Sequence, residues 1–112
     1  MPLNKKLDII TSAVAHEAKK LLGSKLNAVV LFGSYARGDY DEESDIDIMV
    51  RIDCSRADLN EYLYAFSDIA SDLSLDNDIT VSITVFDTQT FTEYKSAMPF
   101  LKNVEREGIR VA

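Results

Sequence analysis

A chain of 112 residues, 46% hydrophobic and 28% charged, suffices for one compact domain over residues 1–112 and falls short of two ordinary ones. No apolar run approaches the roughly 20 residues that cross a bilayer, and the first twenty residues lack the uninterrupted apolar core of a signal peptide, so the cytoplasm is the expected location. A net charge of −7 disfavours direct nucleic-acid binding, which relies on Lys and Arg, and suits a basic partner protein better; one cysteine, Cys54, excludes an internal disulfide and, with the lone His16, gives no metal-ligand cluster.

In chain order, Leu3, Leu7, Ile10, Val14, Ala18, Leu21 and Leu22 recur at spacings of three and four, which predicts an amphipathic helix ended by Gly23. His16 falls toward its polar side and reads as a solvated surface residue. Residues 27–32, NAVVLF, are too short and too uniformly apolar for a surface helix and predict a buried strand with Gly33 and Ser34 at its carboxyl end. Tyr35, Ala36 and Arg37 predict a short helical turn closed by Gly38. Arg37 is open to two readings: a phosphate or partner-protein contact, or a buried ion pair with the acidic loop at 39–44. That loop is otherwise read as solvated.

Residues 45–52 predict a second strand, antiparallel to the first, with Asp45 and Asp47 on one face and Ile46 and Ile48 on the other. Ser55 is placed to cap a helix from Arg56 or Ala57 to about Leu73, with Phe66 in its core stripe and Tyr62 and Tyr64 on its surface. After a turn at 76–78, residues 79–86 alternate apolar with polar and predict a half-buried third strand. Thr88 opens a helix interrupted at Pro99 and stopped at Gly108, followed by a short strand or tail at 109–111.

Adjacent carboxylates resist joint ionisation unless something positive lies between them, so Asp45 and Asp47 suit a hard divalent cation, most naturally magnesium. Magnesium fills its remaining positions with water and substrate phosphate oxygens, which points to a nucleoside triphosphate. Gly33 and Ser34 supply backbone donors, a hydroxyl and a close approach free of side chain, as a phosphate chain needs.

The stretch GSYARGDYDEESDID resembles the GSX10DXD signature of the DNA polymerase β-like nucleotidyltransferase superfamily. More narrowly, the short chain is similar to the minimal nucleotidyltransferases (MNT), antitoxin-like partners of HEPN-domain proteins. The expected fold is α/β (α+β), with a mixed, mostly antiparallel sheet of about four strands, helices on one face and the metal site on the other. Open edges make partner binding or a homodimer plausible expectations. The resemblance implies transfer of AMP from ATP onto a hydroxyl of a HEPN toxin, with Asp45 and Asp47 holding Mg2+ and Gly33 and Ser34 cradling phosphates. Competent members carry a third carboxylate on the strand equivalent to 79–86. Here the matching triplet is Val81, Ser82, Ile83, with a serine at the acidic position. Asp78 shares the predicted strand face of Ser82 but falls about 13 Å short of it. The alternative reading is a catalytically impaired module that neutralises its partner by occlusion.

Overall fold

The computed structural model describes residues 3–112, with side chains from Lys5 onward. Helix α1, Leu3–Leu22, buries Ile10, Val14, Ala18 and Leu22 at a spacing of four, one stripe of a helix. The Leu3 side chain, counted in the predicted stripe, lies outside the described residues. Lys19 and Lys20 in the last turn complement the negative end of the helix dipole. A 3-10 turn, Gly23–Lys25, then leads into strand β1, Leu26–Phe32.

The remaining elements are α2 (Ser34–Arg37), β2 (Ile46–Ile52), α3 (Asn60–Asn77), β3 (Val81–Asp87), α4 (Thr88–Tyr94), α5 (Pro99–Glu107) and β4 (Ile109–Arg110). They form one four-stranded sheet of order β3-β2-β1-β4. β1 is antiparallel to both β2 and β4, whereas β2 and β3 run parallel, joined through α3. The sheet is therefore mixed and mostly antiparallel, as expected. No helix among the described residues is long and apolar enough to cross a membrane.

Register sorts the side chains onto two faces. Val29 and Leu31 of β1, Ile46, Ile48, Val50 and Ile52 of β2, and Val81 of β3 meet Ile10, Val14, Ala18 and Phe66 in the main core. Ala28, Val30 and Met49 point the other way, against Phe91 of α4 and Leu101 and Val104 of α5. The two long helices thus occupy one face as expected. The correction is that α4 and α5 partly cover the opposite face. Their apolar residues recur at helical spacing, and the break at residues 95–98 before Pro99 lets the two short helices lie separately on the sheet.

Several boundaries differ from the sequence expectations, three of them for a clear local reason. Ser55 does not cap α3: its Oγ accepts from the Asp58 N–H at 3.1 Å in a preceding turn, and α3 begins at Asn60. α3 runs past Leu73 to Asn77, ended by Asp78 in the left-handed region at φ 53°. β3 starts at Val81, whose N–H donates to Ser74 Oγ at 2.9 Å, so this side chain ties the end of the crossover helix to the strand it feeds.

Candidate active site

The registers place Phe32 beside Asp47 and Asp47 beside Ser82, so these three side chains form one row across β1, β2 and β3. They lie on the face of Met49, opposite the main core. Asp47 sits in the middle, flanked by an aromatic ring and a hydroxyl.

Gly33 follows Phe32 at φ 75° and ψ −156°, a conformation open essentially to glycine. A Cβ built there would lie 2.5 Å from Asp47 Oδ2. The absent side chain is thus what lets the carboxylate come against the backbone at the turn. The turn itself is pinned: Gly33 O accepts from the N–H groups of Ala36 and Arg37, both at 3.1 Å, and Ser34 O accepts from Gly38 N at 2.9 Å. Beneath it the buried Tyr35 ring stacks on Tyr40, with centroids 4.5 Å apart.

Asp45 stands one residue before β2, a correction to the expected strand over 45–52, and is delivered by a loop that is more ordered than the sequence suggests. Asp41 N donates to Ser44 Oγ at 2.9 Å, and Asp41 Oδ1 accepts from Glu43 N at 2.9 Å, an Asx-type turn closed by a serine. Ile46 N then donates to Thr80 O at 2.9 Å, fastening the start of β2 to the segment entering β3. Asp41 and Ser44 therefore aim Asp45. The acidic loop hid this role, although the D-E-E-S spacing is itself a turn signal.

The two carboxylates share one electrostatic field. Burial, then the neighbouring Asp45 charge, push the Asp47 carboxyl above its ordinary range, while Arg37 pulls the other way. Arg37 itself pairs through Nε with Asp39 Oδ2 at 3.1 Å and through a terminal nitrogen with Glu107 Oε2 at 3.4 Å. Its side chain is 42% exposed, so of the two readings the ion pair with the acidic loop does form, but on the surface rather than buried. Glu107, on α5 and 70 positions away in the chain, could not have been paired with Arg37 from local sequence.

Ser82 is exposed at the edge of the row, in the register position beside Asp47. Asp78 is not on the strand, which corrects the premise that it shares a strand face with Ser82. It closes α3 and lines a cavity of about 520 Å3 together with Asp45, Tyr35 and Lys6. On the other side of Gly33 is a smaller cleft of about 190 Å3, bordered by Phe32, Arg37, Phe100 and Glu107. The Phe32 and Phe100 rings meet edge to face at 5.4 Å.

Among the described residues no three His, Cys, Asp or Glu side chains gather into a metal-binding group. A pair of carboxylates is nevertheless what magnesium usually takes from a protein, the balance being water and phosphate oxygens. The paired acids, with the like-charge strain on Asp47, fit that donor set.

The family model for a nucleotidyltransferase domain matches residues 12–110. The chain belongs to this family and is a nucleotidyltransferase. It is 40% identical over 91 residues to a candidate protein adenylyltransferase of Methanocaldococcus jannaschii, covering 81% of this chain and 84% of the relative. A second candidate adenylyltransferase of that organism is 36% identical over 84 residues, covering 75% and 76%. Among solved structures, a candidate nucleotidyltransferase of Sulfolobus solfataricus superposes with TM-score 0.58 at 23% identity, over 95% of this chain and 78% of that one. A chain of a complex between a tri-AMPylated Shewanella oneidensis HEPN toxin and its MNT antitoxin superposes with TM-score 0.52 at 21% identity, over 95% and 71%. A toxin–antitoxin structure with AMP-PNP gives 0.57 at 23% identity, over 91% and 72%. At these identities the solved structures establish the shared fold.

Proposed function

We propose that this chain is a magnesium-dependent protein adenylyltransferase, moving AMP from ATP to a hydroxyl on a partner protein, as the cytoplasmic MNT antitoxin of a HEPN/MNT pair. The observation that carries this reading is the approach of Asp47 to Gly33, with Asp45 in the same field: carboxylates and a phosphate-ready turn meet at one point. A scaffold alone has no physical need for that close approach. The adenylyltransferase names of the relatives and the toxin–antitoxin context of the neighbours support the same direction.

Asp45 and Asp47 would hold the magnesium, which supplies charge neutralisation to the triphosphate and the departing pyrophosphate. Gly33 and Ser34 bring backbone donors and a hydroxyl to the phosphate chain, and Arg37 stands at the same turn. The acceptor oxygen bonds to the α-phosphorus, the bond to the β-phosphate oxygen breaks, and the hydroxyl proton passes to a carboxylate of the site or to water. Ser82 cannot take that proton as a carboxylate would. Loss of a positioned base slows such a step by roughly 10²- to 10⁴-fold, so turnover is expected to be slow and to rely on positioning.

The test is titration of ATP with and without magnesium into the protein and into Asp45→Asn, followed by mass measurement of a co-expressed HEPN-domain partner. Magnesium-dependent binding lost in the variant, with a mass gain of one or more AMP groups on the partner, is the expected result. Folded protein without either sinks the reading. The exposed Ser82 beside Asp47 favours a second reading, neutralisation by occlusion. It would prevail if Asp45→Asn combined with Asp47→Asn left inhibition of the partner intact.

A further inference from the structure

Four residues beyond Asp47 on the same face of β2 stands Arg51, about 13 Å further along the strand. Its register neighbours are Ala28 on β1 and Phe86 on β3, and its guanidinium carbon lies 4.2 Å from the centroid of the Phe91 ring on α4. Arg51 Nε is buried and has no hydrogen-bond partner among the described residues. Stacking on a ring uses the flat face of a guanidinium and leaves its in-plane N–H donors uncommitted. An uncompensated buried donor is costly, so contact with Phe91 alone does not account for this placement.

The side chain lines a cavity of about 400 Å3 between the sheet, α4 and α5, within the size range of small-ligand sites. Lys95 and Arg110 line it too, and Glu105 is the single acidic residue among its walls. Lys95 is paired with Glu105 at 3.3 Å, and Arg110 donates to the Asn27 and Ala112 carbonyls, each at 3.1 Å. Three cations against one carboxylate leave an excess of two positive charges, in a chain whose net charge is −7. Thr92 adds a hydroxyl to the wall, whereas the hydroxyl of Thr88, which also lines it, is donated to Asp53 Oδ1 at 2.6 Å. An excess of two matches a phosphate dianion better than a single carboxylate, and a planar guanidinium is suited to its oxygens.

We propose that this cavity binds a phosphate dianion, free or carried by a small phosphorylated molecule, at a site separate from Gly33, Asp45 and Asp47. Arg51 donates to the phosphate oxygens from the floor. Lys95 and Arg110 hold it from the rim, and Glu105 limits the affinity. The proposal does not depend on the nucleotidyl transfer reading, because the cavity shares no residue with the carboxylate site.

The experiment uses the whole protein without magnesium, titrated separately with inorganic phosphate and with AMP, followed by NMR of backbone amides and of the Arg51 Nε–H. Saturable shifts of Arg51 Nε–H and the Thr92 amide are expected with either probe. Tighter binding of AMP would assign the phosphorylated small molecule, and equal binding free phosphate. Arg51→Gln should weaken binding about tenfold. Because that change also removes the contact with Phe91, Lys95→Gln and Glu105→Gln provide independent readings from the rim. The first should weaken phosphate binding and the second tighten it, a pair of opposite signs that a purely structural Arg51 would not produce. Shifts that never saturate, shifts confined to Gly33 and Ser34, or affinities unchanged in both rim variants would overturn the proposal.

Discussion

The two faces of this sheet are built from the same strands and do opposite work. Toward α1 and α3, β2 presents Ile46, Ile48, Val50 and Ile52, all fully buried. Toward α4 and α5 it presents Asp47, Met49 and Arg51, of which only Met49 is fully buried. A strand alternates every residue, so one face can be given wholly to stability while the other carries charges. The second face tolerates those charges because the apolar burial on the first is complete. The difference also tells which substitutions should act on folding and which on chemistry.

The largest effect is expected on the closed face. Phe66 is fully buried among α1, α3 and the sheet, and Phe66→Ala should cost about 3–5 kcal/mol, a large share of a small domain's stability. Urea denaturation measures it, and a loss below about 1 kcal/mol would show that the face is not packed as described. On the open face, Ser82→Asp should raise the rate of transfer to a partner by roughly 10²-fold while leaving the melting temperature nearly unchanged, since Ser82 is exposed. A rate unchanged by this substitution would mean that the position beside Asp47 does not receive the proton.

A smaller effect is expected where the open face receives its cover. Asp87, 3% exposed, ends β3 and caps α4, its Oδ2 accepting from Thr90 N at 2.9 Å. Asp87→Ala should cost about 1 kcal/mol in the urea midpoint, with the transfer site unaltered. The smallest concerns Cys54, just beyond β2 and packed against the main core. Burial first, then the Asp87 and Asp58 carboxylates, push its thiol up. At pH 8 the thiolate fraction is therefore below that of an unhindered cysteine, so a disulfide reagent should react slowly and speed up as pH rises. Reaction at the rate of a free thiol would show that the closed face is open at this edge.

Much of the architecture was legible because periodicity reports it directly: α1, β1, β2 and the break at Pro99 follow from spacing and composition. The carboxylate and glycine pair was legible for a different reason, since Gly33 follows β1 directly, Asp47 lies on the next strand, and their approach is a local matter. What spacing could not supply was anything set by distant partners. The Arg37 pairing with Glu107, the cover of the second face by α4 and α5, and the unpartnered Arg51 all depend on long-range packing. Asp78 misled for the converse reason: the pattern at 79–86 alternates like a strand, but Ser74 and the left-handed Asp78 hold the strand's start at Val81.

The row of Phe32, Asp47 and Ser82 also has a consequence for how the domain assembles. Its first two members come together when neighbouring strands zip as a hairpin, a short loop to close. The third arrives only after α3 has carried the chain back in parallel, more than twice as far along the sequence. Because closure entropy grows only logarithmically, that longer route adds less than about 1 kcal/mol, but it makes the third position late. A nascent chain would therefore own its glycine–carboxylate contact before it owns its serine, and the third position of the row rests on an edge that can be rewritten without disturbing the part that forms first.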